Sequence, residues 1–198
     1  MAGVPVTFRD NRRERTLVTY DYFDSFSGVG FVKFWLLGTN DSAGKKYHLT
    51  TDKTIGSSST NLRDLSGAIN LDFDIDIDTP FKVAARDGIV TMVFVIPGSG
   101  RVVTFSVIHV DSDDTETTIG TVSTETMGQA TGGRRTCKMT MTEKLFKKGE
   151  KLRLTVSANL ALEAHWDPLG RITIIEEPGS FASVTSEAIL SLPIIVPK

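Results

Sequence analysis

Leu71-Asp72-Phe73-Asp74-Ile75-Asp76-Ile77-Asp78 alternates apolar and acidic residues without a break. At the two-residue repeat of an extended chain, Leu71, Phe73, Ile75 and Ile77 share one face and the four carboxylates share the other. The stretch therefore predicts a half-buried strand. Its acids resemble a calcium site only at first sight, because carboxylates on one strand face are about 7 Å apart, too far for one ion to collect. The turn glycine of an EF-hand loop is also missing. A solvated face opposite basic side chains on a neighbouring strand is the expected use of these acids.

The same periodicity continues outward. Ile89 to Ile96 is almost wholly apolar between Asp87-Gly88 and Pro97-Gly98, which predicts a strand covered on both faces, and Val102 to Val110 is its expected hairpin partner. Thr115 to Thr126 reads as one threonine-rich strand, or two around Gly120, and Gly128 to Gly133 as a flexible connector. Cys137, Met139 and Met141 alternate with Thr136, Lys138, Thr140 and Thr142. After the turn Lys147-Lys148-Gly149-Glu150, Leu152, Leu154, Val156, Ala158 and Leu160 alternate with polar residues. Ile172 to Ile175 and Ala188 to Val196 add two strands, with Pro193 marking an edge or a strand end. Upstream, the aromatic stretch Thr16 to Leu37 is expected to form two strands broken at Gly28 and Gly30. Thr39 to Gly67 reads as a long loop containing a short strand at Tyr47 to Thr51. Single helical turns are expected at Asn61 to Leu65 or Met141 to Phe146.

Composition agrees with this pattern. The chain of 198 residues contains 24 Thr, 17 Val and 14 Ile, and β-branched side chains favour strands. One cysteine, Cys137, excludes a disulfide scaffold, and 22 basic against 24 acidic residues exclude a domain that binds nucleic acid by overall charge. The expectation is an all-β, single-domain sandwich of the jelly-roll kind with eight to ten strands, spanning residues 17–198 behind an N-terminal arm at residues 1–16. Met1 to Arg15 has no signal-like apolar stretch, which predicts synthesis in the cytoplasm, and no segment is read as spanning a membrane.

Catalytic signatures are scarce. The three histidines, His48, His109 and His165, stand in no zinc or metalloprotease spacing, and no G-x-S-x-G elbow exists. His109 shares a face with Val103, Phe105 and Val107 and reads as a hydrogen-bonded histidine at a strand end. His165-Trp166-Asp167 could line a ligand site, although Asp167-Pro168 reads first as a turn. Asp111, Asp113 and Asp114 are the better candidates for a metal, with calcium the ion considered, since a loop can fold carboxylates inward. No other cofactor is expected. Asp111 to Glu125 carries five acidic and no basic residues, whereas Arg134 to Arg153 carries eight basic and two acidic. These two surfaces are expected to meet, within the domain or between subunits.

Leu145-Phe146-Lys147-Lys148-Gly149-Glu150-Lys151-Leu152-Arg153-Leu154-Thr155-Val156 resembles the late turn and strand of jelly-roll proteins that decorate or cement virus and phage capsids. It is similar as well to galactose-binding-like carbohydrate modules. The first resemblance implies a non-enzymatic structural protein of the virion, associated with the capsid shell. Such a protein would self-associate, as a trimer more readily than a dimer, and make no direct contact with nucleic acid. Arg9, Arg12, Arg13 and Arg15 of the arm, with Lys147 and Lys148, would contact its partners. The second resemblance implies a carbohydrate-binding module using His165, Trp166 and Asp167.

Overall fold

The computed structural model describes residues 29–41, 44–51, 62–64, 70–95, 100–127, 133–160, 162–165, 171–175, 181–185 and 188–195, and none of these is helical. In chain order the strands are β1 (Val29–Asp41), β2 (Gly44–Thr50), β3 (Leu62–Asp64), β4 (Asn70–Asp76), β5 (Phe81–Val83) and β6 (Asp87–Val95). They continue with β7 (Val103–Val110), β8 (Glu116–Ser123), β9 (Gly133–Thr140), β10 (Lys144–Phe146) and β11 (Lys151–Ala158). The last are β12 (Leu162–His165), β13 (Arg171–Ile175), β14 (Phe181–Thr185) and β15 (Ile189–Ile195).

Thirteen of these strands form one sheet. Its two main runs are β9-β6-β15-β1 and β4-β11-β7-β8, joined through β2, which pairs with β1 and touches β4 through the parallel bridge His48↔Asp74. The terminal strands of these runs return to each other. Past the end of β9, the Thr142 N–H donates to the Ile119 carbonyl of β8 at 2.6 Å, so the sheet curls into a nearly closed barrel. Closure puts every inward side chain into one core, and full closure is the means by which a sheet removes its edges. Strands β13 and β14 form a separate two-stranded sheet.

The alternating stretch occupies a central place. Strand β4 pairs with β11 from Asn70↔Ser157 to Asp76↔Lys151, and Phe73 is fully buried against Tyr47, with ring centroids 5.3 Å apart. Strand β11 keeps strict alternation between β4 and β7, so Leu152, Leu154 and Val156 enter the core. Phe94, Phe105 and Phe146 complete its aromatic centre.

Several local expectations give way to tertiary pairing. Strand β7 pairs with β8 and β11, not with β6, so the glycine-rich link between β6 and β7 is a crossover between the two runs and no hairpin. Strand β1 begins at Val29, and its second residue, Gly30, lies in register with Ile194 of β15; the stretch from Thr16 to Gly28, expected to hold a first strand and the break, lies outside the described residues. Leu62–Asp64 and Lys144–Phe146 are strands where single helical turns were expected. The strand total exceeds eight to ten because pieces of three to five residues are too short to display a period. Pro193 is neither exposed nor on a free edge. Pairing with β6 ends at Ser191 and pairing with β5 begins at Ile194, so the proline falls in the gap, where no ladder donor is needed. Strand β6 is covered on both faces only in its second half: Met92, Val93 and Phe94 are all buried, but Ile89 is 39% exposed. The N-terminal arm lies outside the described residues.

Strand β8 is single, but bulged. Gly120 opposes Val107 and Thr118 opposes Ile108, leaving Ile119 as the extra residue and turning Ile119 and Gly120 both inward. A β-carbon on Gly120 would lie 2.6 Å from the Met141 sulfur and 2.8 Å from the Met139 sulfur. The glycine therefore makes room for two methionines that fill the core where β8 approaches β9.

Candidate functional site

Among the described residues three polar clusters stand out, and one of these three is both accessible and unspent. The first is sealed. His109 Nε2 lies 2.7 Å from Glu150 Oε2, which also accepts the Lys147 backbone N–H at 2.7 Å. Both residues are buried, and the imidazole stands edge-on to Phe146 with centroids 4.9 Å apart. His109 Nδ1 is buried with no hydrogen-bond partner. That pattern suits the Nε2–H tautomer, whose one donor is satisfied while the orphan atom is only an acceptor. Burial alone pushes the Glu150 carboxyl up, but the Lys147 N–H and the His109 ring together hold it below the ordinary carboxylate range. His109 is thus a hydrogen-bonded histidine at a strand end, though its partner lies 41 residues away in sequence.

The second cluster is the outer face of the β4-β11-β7-β8 run. The Arg153 guanidinium forks onto Asp74, with Nε donating to Oδ1 at 2.7 Å and Nη2 to Oδ2 at 2.8 Å, while Nη1 donates to Glu116. Thr155 donates to Asp72 at 2.6 Å. The acids of the alternating stretch therefore do face basic and hydroxyl side chains on a neighbouring strand. Asp74 first, then Asp72 and Glu116, raise the Arg153 proton affinity above that of an ordinary arginine against the opposing effect of burial. Lysine offers a point charge where the site uses a planar fork. We expect Arg153→Lys to lower stability by about 1 kcal/mol, a melting-temperature loss of roughly 2–4 °C for a chain of this size. Thermal denaturation checks this, and a lysine variant that melts with the wild type would show that the fork contributes nothing.

This network also brings together the acidic and basic segments within one chain, through Arg153 with Glu116 and through Lys151 with Asp114 at 3.9 Å. The proposed calcium ligands are otherwise occupied or apart. Asp111 Oδ1 accepts the backbone N–H groups of Asp113 and Thr115, each at 2.9 Å, and so closes its own β7–β8 turn. Asp113 and Asp114 point to solvent, and no group of three metal-binding side chains occurs among the described residues. The carboxylate of a tight Asx-type turn is committed to its own backbone, which the sequence pattern could not reveal. Lys147 and Lys148 are exposed in the turn before β11, at the same end of the barrel as Asp111. Arg9, Arg12, Arg13, Arg15, Trp166 and Asp167 lie outside the described residues, as does the side chain of His165, which ends β12.

The third cluster lies toward the opposite ends of β7 and β8. A cleft of about 480 Å³ opens in the seam between β8 and β9, lined among others by Glu125, Thr126, Met127, Arg135 and Cys137. Most hydroxyls around it are spent. Ser123 bonds Thr104 at 2.8 Å, Thr136 bonds Thr91 at 3.0 Å, and Thr124 Oγ1 accepts the Val103 N–H at 3.0 Å. Arg135 differs. It shares the inward phase of β9 with Cys137 and Met139, is half-buried, and donates only to the adjacent Arg134 carbonyl at 3.3 Å. Arg135 and Glu125 occupy one cleft without an ion pair to each other or to any other described residue. Burial pushes the Cys137 thiol up and the Arg135 charge only partly offsets this, so the protonated thiol is favoured in the cleft wall. The sequence signal for this site was an arginine at an apolar phase of an alternating strand. A second cleft of about 370 Å³, with Phe34, Ile75 and Phe81 in its walls and Asp76 and Asp78 beside them, has no cationic side chain in its lining.

No protein-family model matches the chain, and no curated protein matches it in sequence. A crystal structure of a CocE/NonD family hydrolase from Staphylococcus aureus is similar in fold, with a TM-score of 0.50 and 10% identity over 82% of this chain and 36% of that chain. A second crystal structure of that hydrolase gives a TM-score of 0.43 and 8% identity, covering 81% and 41%. The chain therefore spans about a third of the length of the first hydrolase it matches, and at such identity the likeness is one of fold alone. It corrects the expectation of a capsid-associated structural protein: a solved chain that this one is similar to in fold is a hydrolase.

Proposed function

We propose that the chain is a non-catalytic recognition module, a jelly-roll β-domain that holds a small polar ligand in the seam between β8 and β9. The observation that carries this reading is the contrast between two arginines. Arg153 has its fork filled by Asp74 and Glu116, whereas Arg135 is half-buried at the cleft with one long bond to a neighbouring carbonyl. The remaining donors of Arg135 are left to solvent at the cleft, and a ligand carboxylate supplies a charge-assisted acceptor in place of water.

The jelly-roll description is supported by the two four-strand runs, β9-β6-β15-β1 and β4-β11-β7-β8, between which the chain repeatedly crosses. The non-catalytic description is supported by the sealing of the His109–Glu150 pair and by the raised thiol of Cys137. Sharing the fold of roughly a third of a hydrolase fits an accessory role for such a domain.

Amide NMR with a library of small polar fragments tests this reading. Shifts should cluster on Glu125, Arg135 and Cys137, and simple ester substrates should hydrolyse no faster than in buffer. Shifts confined to another surface, or ester turnover that disappears in His109→Gln, would sink it.

A further inference from the structure

We infer that the seam cleft binds a small zwitterion, a molecule with a carboxylate, an ammonium group and a short apolar body, as in a free apolar amino acid. This rests on the recognition reading above and adds the chemistry of the ligand. Arg135 reaches the cleft from β9, and its planar fork of five donors matches a carboxylate in two parallel hydrogen bonds. Glu125 reaches it from the segment after β8 and offers only acceptors, the complement of an ammonium group. Both charges line one cleft and neither is paired with the other, which leaves both available to a ligand.

Each simpler ligand meets an obstacle. A plain anion drawn to Arg135 is repelled by Glu125, and a plain cation drawn to Glu125 is repelled by Arg135. A molecule carrying both charges satisfies both walls at once. The same lining includes apolar side chains. Met127 is buried, Val122 and Cys137 are half-buried, and a flexible thioether adapts to a branched aliphatic group. The volume of about 480 Å³ lies within the span of small-ligand sites, roughly 300–1,000 Å³.

Calorimetric titration of the full chain with leucine, N-acetyl-leucine and leucinamide separates the possibilities. Leucine should bind, and each analogue, having lost one charge, should bind at least about tenfold more weakly, as expected for losing a charge-assisted hydrogen bond. Arg135→Gln and Glu125→Gln should each weaken leucine by a similar factor. Both variants should melt with the wild type, because neither side chain has an ion pair to lose. Binding of N-acetyl-leucine should weaken in Arg135→Gln and strengthen in Glu125→Gln, which removes the charge that repels it. Equal affinity for the three compounds, or leucine binding indifferent to Arg135→Gln, overturns the inference. If polar fragments shift the cleft amides and leucine does not, the zwitterion fails while the recognition reading stands. If no compound perturbs the cleft, both fail.

Discussion

Replacing Phe73 with alanine is expected to remove about 3–5 kcal/mol of stability and to lower the melting temperature by roughly 6–20 °C. The size follows from position. Phe73 has no exposed surface, packs against Tyr47 at 5.3 Å, and belongs to the strand that meets β11 and, through one bridge, β2. Truncation removes the transfer energy of the ring and leaves a cavity in a sheet that cannot collapse around it, because hydrogen bonds fix the neighbouring strands. Asp76→Asn is the matched control. It changes an exposed residue three positions away on the same strand and should stay within about 0.5 kcal/mol of the wild type. Urea denaturation of both variants gives the comparison. A Phe73→Ala protein within 1 kcal/mol of the wild type would falsify the placement of this face in the core.

That prediction could be drawn almost entirely from the sequence, and the reason is periodicity. In β4 and β11 each residue faces either core or water, so alternation maps directly onto burial, as it does for Leu152, Leu154 and Val156. Pairing is a different matter. Nothing local distinguishes a hairpin from a crossover after β6, and proximity in sequence favoured the wrong partner for β7. The bulge at Ile119 was equally hidden, since it shows only as two successive buried residues where alternation allows one.

The candidate site was legible in part. Glu125 and Arg135 stood in the two segments of opposite charge, which the sequence expected to meet as wholes; it did not separate the pair that forms, Glu116 with Arg153, from the residues that stay apart. Whether a charge is spent depends on which strands become neighbours. Strands β8 and β9 belong to different runs and meet only because the sheet closes, so the seam cleft exists only at the level of the whole barrel. The same closure explains the position of an unpaired charge: the seam is where the ladder stops and a polar group can face a solvent-filled gap.

Removing the carboxylate of Glu150 should have the second largest effect. Glu150→Ala leaves the His109 Nε2–H and the Lys147 N–H without their acceptor in a buried setting, and should lower stability by about 2–4 kcal/mol, or roughly 5–15 °C in melting temperature. Glu150→Gln keeps an amide oxygen that can accept and should lose less, which separates hydrogen bonding from charge. The pH dependence has a definite sign. The folded-state affinity of Glu150 for a proton is depressed, so its contribution is fully present above the ordinary glutamate value of about 4.3 and fades as pH falls through the lower folded value. The gap in melting temperature between wild type and Glu150→Gln should therefore shrink as pH falls below about 4. Differential scanning calorimetry across that range gives the answer. A gap that widened on acidification would mean that the folded protein favours the protonated acid, and the account of this buried pair would have to be reversed.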